Sequence, residues 1–427
     1  MNAACGAAGL HSKSISKRTP AEPARRQIGA LRLGQRPTAY WDEQVSHPTQ
    51  RSGIPIRMYR PDYHVRTPNM RSPEYVQLST AAAITLGLIP GVMHRTACTH
   101  CLNLLLTYPE GCRANCSYCG LARHREETRD YADRNFIRVD WPTVAYDELL
   151  ERLRRGEDQG GFERMCISMI THPRSNEDTF RILRKWARAV PHIPVSILSN
   201  PTTMRYEELV QLRDEGAEIF TVALDAATPE LFERTRGKTV DSPHTWEKYW
   251  QAIEWAAEIF GAERFGAHLI CGMGETEREI LQVAQRIKDM GGHNHMFAFF
   301  PEQGSMMEDW EPVPQDQWRR VQLARFVIDY GGGSFCDMEF NEHGQVVNFG
   351  LPREQLDALI DSGKPFRTSG CPGNSDPEIS ACNRPYGDSS PSNIRSYPFA
   401  LQDEDVAIVR RQIANENVGT LLLNDDE

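Results

Sequence analysis

Three cysteines crowd one short stretch of this 427-residue chain: Cys112, Cys116 and Cys119, a C-x3-C-x2-C triplet flanked by Gly111 and Gly120. Thiolates are the soft ligands that iron–sulfur clusters select. Three of them within eight residues, in a glycine-flanked loop, can wrap three corners of a cubane 4Fe-4S cluster. Three ligands for four irons leave one iron open, and an open position is where a metal site does chemistry. Structural zinc would more usually show two C-x2-C pairs, and a trio of buried free thiols is the blandest reading.

Eight more cysteines bring the count to 11. An odd number in a chain with no secretory pattern favours metal or redox chemistry over a disulfide framework. Cys166 and Cys271 sit inside apolar runs and read as core residues, and Cys5 lies near the N-terminus. Cys98 and Cys101 form a C-x2-C pair just before the first strand, whereas Cys371 and Cys382 fall in glycine- and proline-rich sequence near the C-terminus. If the terminal segments wrap the domain between them, these four suffice for a second, auxiliary iron–sulfur cluster. Cys336, on a predicted strand, is the reserve ligand. A zinc staple and four unrelated thiols are the other readings.

The elements that must position the triplet show in the hydropathy pattern. Leu102–Tyr108, Met165–Thr171, Val195–Ser199, Ile219–Asp225, His268–Gly272 and Met296–Phe300 are short, nearly continuous apolar runs. Strands buried on both faces of a parallel sheet have that pattern. Between them the period is helical. Trp246, Tyr249, Trp250, Ile253, Ala256, Ala257 and Phe260 form one stripe, which stops at Gly261. Thr276-x-x-Glu279 opens another helix as a capping box. Six β-then-α units in a row predict an α/β fold, a parallel barrel or a doubly wound sheet, with its chemistry at the carboxyl ends of the strands.

Residues 1–38 read as a basic arm, 39–101 as an N-terminal wrap carrying the Cys98/Cys101 pair, 102–334 as the barrel and 335–427 as a C-terminal extension. A net charge of −10 argues against a nucleic-acid partner. No apolar stretch approaches the ~20 residues of a spanning helix, so no membrane partner is expected. Without a charged-then-apolar leader, a cytoplasmic location is expected.

In this setting Cys112, Cys116, Tyr118 and Cys119 resemble the C-x3-C-x-aromatic-C signature of the radical SAM superfamily, over roughly residues 102–305. The resemblance implies a partial parallel (β/α)6 barrel. It also implies that the open iron takes S-adenosyl-L-methionine and that Tyr118 sits at the cofactor. His268, Ile270, Gly272, Gly274 and Glu275 resemble the family's fifth-strand motif, G-x-I-x-G-x-x-E, with His268 in place of its first glycine. Glycines there let the backbone approach the adenine, and Ile270 can pack on its face. Asp225, at the end of the fourth strand, resembles the segment that binds the ribose; as a carboxylate it can accept from two hydroxyls. A helix cap is the plainer reading, although Thr228 is better placed for it. Asn200, closing the third strand, faces the cofactor on this reading or is a turn asparagine. Where the superfamily often has Gly-Gly-Glu after the second strand, this chain has Thr171, His172, Pro173 and Arg174, so the holder of the methionine amino group is left open.

A radical barrel with a second cluster is similar to the sulfur-inserting biotin and lipoyl synthases. Ile84–Gly91, Leu104–Tyr108 and Gly120–Arg123 look more like one member of a two-protein lipoyl synthase. That implies an octanoyl-lysine on a lipoyl-carrier domain as substrate, a ferredoxin or flavodoxin as electron donor, and a second radical SAM protein as partner. The rivals are a single-cluster radical lyase or mutase without sulfur insertion, biotin-synthase-like in fold, and an iron–sulfur electron-carrier or binding module.

Overall fold

The computed structural model describes residues 70–125, 135–136, 139–158, 161–373, 378, 380–387 and 389–414. The expected basic arm, Cys5 and residues 39–69 of the expected wrap lie outside the described residues.

Six parallel strands form the body of the sheet: β2 (Cys101–Leu106), β6 (Arg164–Ser168), β7 (Val195–Ser199), β8 (Ala217–Asp225), β9 (Phe265–Cys271) and β10 (His293–Ala298). Each apolar run predicted from the sequence is one of these strands. Of the six, only Val195–Ser199 keeps both predicted ends, and two of the shifts are instructive. β9 ends at Cys271 because Gly272 turns away with φ +106°. β10 starts at His293 rather than Met296, and its polar opening residues are buried: Asn294 Nδ2 donates to Ala284 O and Asp329 Oδ1 at 3.0 and 2.8 Å. A hydropathy count does not extend a strand through polar residues, even where the fold buries them.

β1 (Tyr75–Leu78) and β5 (Thr143–Ala145) extend the sheet beyond β2 as antiparallel neighbours, giving eight strands in the order β10-β9-β8-β7-β6-β2-β1-β5. β3 (Asn135–Phe136) pairs with β4 (Val139–Asp140) in a separate ribbon. Residues 75–78, expected in a wrap, are thus part of the sheet.

Helices α1 (Thr80–Thr85), α2 (Tyr146–Arg154), α3 (Ser175–Ala189), α4 (Tyr206–Asp214), α5 (Pro229–Arg236), α6 (Trp246–Phe260), α7 (Glu277–Asp289) and α8 (Gln315–Asp329) accompany the strands. Their ends follow from local chemistry. Thr228 caps α5, donated to by Leu231 N, with Pro229 in the first turn. Thr276 and Glu279 close the reciprocal capping box of α7. Gly261 stops α6 at φ +79°. Leu104, Ile167, Ile197, Val222 and Leu269 are fully buried, while alternate residues on the same strands face the barrel interior.

The C-terminal extension is more ordered than its composition predicts. β11 (Glu339–Phe340) and β12 (Val346–Asn348) form a ribbon, followed by α9 (Arg353–Ser362) and α10 (Asp403–Ile413). Arg320 on α8 and Glu277 on α7 form an ion pair at 2.7 Å, essentially inaccessible to water. Glu277 also accepts from Val346 N of β12, so one buried carboxylate joins both helices to the extension.

Candidate active site

The triplet lies in the loop that leaves β2, pinned from three sides. Arg113 N donates to Thr171 O at 2.7 Å, Ser117 N donates to Thr235 O at 2.7 Å, and Met307 N donates to Ser117 O at 3.1 Å. Asn115 Nδ2 donates to Val240 O at 2.7 Å, and its carbonyl accepts from His124 N. Within the loop, Ala114 N points at Cys112 Sγ and Leu121 N at Cys119 Sγ, each at 3.4 Å. Backbone N–H groups aimed at sulfur favour its anionic form. Burial opposes them: it pushes the Cys116 thiol up to about 11, and the Cys112 and Cys119 thiols also lie above their ordinary value. A metal must displace those protons, so loading is coupled to deprotonation.

All three thiols line one cavity at the carboxyl ends of the strands, enclosing about 1160 Å³ including its open mouth. Leu105, Ser168, Leu198, Ala223, His268 and Phe297 line its walls, each inward-facing on its strand. Among the described residues, no three His, Cys, Asp or Glu side chains form a group that could hold a single metal ion. Cys112, Cys116 and Cys119 would be the residues to hold an iron–sulfur cluster, since soft thiolates are its ligands and all three border this cavity. The donor set fits a cluster.

Four of the six residues singled out for the cofactor, Tyr118, Asn200, Asp225 and Ile270, line the same cavity; Gly272 and Gly274 are not part of its lining. Asp225, at φ +61°, turns its carboxylate inward: Oδ2 accepts from Tyr118 OH at 2.5 Å and from Arg236. Among the described residues Oδ1 has no hydrogen-bond donor, which leaves it for a ligand hydroxyl. Asn200 is fully engaged with protein: Nδ2 donates to Met169 O at 2.9 Å, and Oδ1 accepts from Arg236 at 3.0 Å and Tyr249 OH at 3.2 Å. Gly272 and Gly274 have φ values of +106° and +116°, and a Cβ on Gly272 would meet Val313 Cβ at 2.6 Å. Glu275 clamps this turn by accepting from Gly272 N and Met273 N.

Arg236 is the residue that sequence reasoning missed. Its side chain is 1% exposed and holds Asp225, Asn200, Tyr249 OH and the carbonyls of Ala223 and Leu224. Its charge favours the anionic form of Cys112 and Cys116. An arginine at a helix end carries no local signal of this role. His268, where the family motif has glycine, packs its ring against His295 and Phe297 at 4.9 and 5.0 Å, and burial pushes its pKa down to about 3. It is a neutral wall of the cavity. His172 stacks on Tyr108 with ring centroids 3.8 Å apart.

The other cysteines divide differently from the sequence expectation. Cys98 is exposed, with its sulfur 3.5 Å from His100 Nε2. Cys336 lies in the 3₁₀ turn Phe335–Asp337. Cys101, Cys371 and Cys382 are buried near one another, and Cys166, expected as a plain core residue, is with them.

Residues 106–287 match the family model of the radical SAM superfamily. This chain carries a radical SAM domain. It is similar to the biotin synthase of Saccharopolyspora erythraea, 22% identical over 230 residues that cover 53% of this chain and 60% of that protein. It is also similar to the biotin synthase of Anaeromyxobacter dehalogenans, 22% identical over 200 residues, 45% of this chain and 53% of that protein. The chain thus spans little more than half the length of the curated relatives it matches. Among solved structures it is similar to methylornithine synthase (PylB), with TM-score 0.38 and 16% identity over 54% of this chain and 61% of that one. HydG, a maturase of the [FeFe]-hydrogenase, gives TM-score 0.43 and 13% identity over 58% and 53%. For the radical SAM domain, Cys112, Cys116 and Cys119 would hold the 4Fe-4S cluster, and Tyr118, Asp225 and Ile270, which line the same cavity, would border S-adenosyl-L-methionine. No helix among the described residues is long and apolar enough to cross a membrane.

Proposed function

We propose that this chain is a radical SAM enzyme that inserts sulfur at an unactivated carbon, and that its substrate is the octanoyl chain carried on a lysine of a lipoyl-carrier domain. The observation that carries the reading is the shared cavity: three thiols at its mouth, a carboxylate oxygen free beside them, and hydrocarbon walls. An alkyl C–H bond offers no acidic proton for side-chain acid–base chemistry to take. When bound, the cluster and S-adenosyl-L-methionine supply a carbon radical able to take hydrogen from such a bond.

The chain's own residues do the rest. Asp225 Oδ1 is placed to accept from ribose hydroxyls, with Tyr118 and Arg236 fixing the carboxylate through its other oxygen. Ile270 offers a flat base an apolar face, and Gly272 and Gly274 shape the turn that follows it, with φ +106° and +116°. Leu105, Met169, Ile170, Leu198 and Phe297 suit an alkyl chain and exclude water from the reacting carbon. A second iron–sulfur cluster would be the sulfur source, a ferredoxin or flavodoxin the reductant, and a second radical SAM protein the partner for the other thiolation. The weak similarity to biotin synthases supports sulfur chemistry, and the apolar walls support an acyl chain.

The test is mass spectrometry of an octanoylated carrier domain after anaerobic turnover, with and without a candidate partner protein. The expected result is a sulfur-containing acyl chain together with 5′-deoxyadenosine. Deoxyadenosine without sulfur in the product would instead support a single-cluster lyase or mutase.

A further inference from the structure

The C-terminal extension brings a charge to the cavity. β10 stands at one edge of the sheet, and Ser369 fixes the extension to it: its Oγ accepts from Met296 N at 2.8 Å and donates to Met296 O at 2.9 Å. Asn383 fixes the other end, donating to Cys98 O at 2.6 Å and accepting from His100 N at 3.1 Å. Asn103 Nδ2, on β2, donates to Cys382 Sγ at 3.2 Å. Residues 369–383 thus link β10 to the start of β2, two strands that are not neighbours in the sheet.

Arg384 comes next in the chain. It is half-buried, lines the cavity, and holds its guanidinium carbon 5.1 Å from the centroid of the Phe297 ring on β10. Among the described residues its side chain has no hydrogen-bond acceptor and no ion-pair partner. Two acids line the cavity, and neither neutralises it. Asp225 Oδ2 is taken by Tyr118 and Arg236, and Glu302 does not pair with Arg384. His268 shares the Phe297 ring at 5.0 Å and carries no charge: burial, and after it the charge of Arg384, hold its pKa down at about 3. A cation partly withdrawn from water and left without an acceptor is costly unless a ligand supplies one. In mostly apolar pockets a few placed polar groups fix how the ligand lies. Arg384 also falls outside residues 106–287, which match the family model, so it belongs to what is particular to this chain.

We propose that Arg384 is the subsite for the acyl oxygen of the substrate: its guanidinium donates to that oxygen while the alkyl chain lies along Met169, Leu198 and Phe297, in the cavity that the thiol triplet also borders. The inference rests on the proposed function for the alkyl chain, whereas the subsite stands on Arg384 and its surroundings. A guanidinium presents its N–H donors in a planar fork that suits carbonyl and carboxylate oxygens, and its positive charge strengthens the bonds. The amide of octanoyl-lysine and the carboxylate of free octanoate both present such an oxygen, and the test separates them. Holding the chain by this end sets which of its carbons faces the triplet, so Arg384 determines specificity and takes no part in the chemistry.

The test is isothermal titration calorimetry of octanoate and of ε-octanoyl-lysine into the full chain, reconstituted anaerobically with its cluster and S-adenosyl-L-methionine. Arg384→Met should weaken binding of both probes by about tenfold to a hundredfold. Arg384→Lys, which keeps the charge without the fork, should recover part of the loss. The melting temperature and S-adenosyl-L-methionine affinity of Arg384→Met should match the wild type, as they would not if Arg384 merely held the fold together. The proposal is overturned if folded Arg384→Met binds both probes as the wild type does, if it loses S-adenosyl-L-methionine together with them, or if the wild type binds neither. A loss confined to one probe upholds the subsite and names the source of its oxygen; confined to octanoate, it sinks the lysine-carried substrate. Sulfur inserted into the octanoylated carrier by Arg384→Met with an unchanged KM upholds the proposed function and sinks the subsite.

Discussion

Arg236 shows what a single residue contributes. Its guanidinium is the only cation that binds the Asp225 carboxylate among the described residues, and it also holds Asn200 and Tyr249 beneath the cluster loop. Removing one member of a buried charge pair costs roughly 3–5 kcal/mol, so Arg236→Met should lower the melting temperature of the iron-free protein. A nearby buried cation also favours the more negative, reduced state of a cluster. Its loss should shift the midpoint potential downward by several tens of millivolts, ~59 mV being a tenfold change for one electron, as read by redox titration with electron paramagnetic resonance. Asp225→Ala should weaken S-adenosyl-L-methionine binding by about tenfold to a hundredfold, the scale of lost hydrogen bonds to a charged group. Equilibrium dialysis measures that loss, and iron content should not change. The thiol triplet was legible in the sequence because its ligands are neighbours in the chain. The Arg236 network was not, because Asn200, Asp225, Arg236 and Tyr249 meet only when separate elements of the fold come together.

At the scale of elements, the strand-to-helix turn after β9 carries the tightest steric demand. Gly272 combines a left-handed φ with an approach to Val313 that leaves no space for a Cβ. Gly272→Ala should destabilise the fold by about 1–3 kcal/mol and weaken cofactor binding, measured by melting and dialysis on one preparation. Glu277→Gln should lower stability by about 1–3 kcal/mol, because it removes the buried carboxylate between α7 and α8 and leaves Arg320 with Asp316 as its ion-pair partner; chemical denaturation measures the change. Strands buried on both faces were legible as apolar runs, and the caps at Thr228, Gly261 and Thr276 were legible as local chemistry. β1 and β5, four and three residues long, offer no run long enough to recognise. Glu275 read as part of a motif, whereas its carboxylate clamps the backbone of the turn.

For the molecule as a whole, the C-terminal extension is the part that composition misrepresented. Its proline- and serine-rich text reads as irregular, yet Cys371 and Cys382 come to lie near Cys101 and Cys166 because Ser369 and Pro372 are hydrogen-bonded to β10 and β6, and Asn383 to Cys98 and His100 just before β2. Spacing alone pairs Cys98 with Cys101. The two-residue period of a strand instead sets Cys101 and Cys166 on the same inward face, and tertiary structure decides between these pairings. The same scale holds the central claim, that one cavity joins a cluster-binding loop to an apolar reaction space. Its most direct measurement is 5′-deoxyadenosine formed when the anaerobically reconstituted chain is incubated with S-adenosyl-L-methionine and dithionite, quantified by mass spectrometry. The account predicts accumulation with the wild-type chain and none when Cys112, Cys116 and Cys119 are replaced by alanine. A wild-type chain that carries its full iron and yields no deoxyadenosine would contradict it.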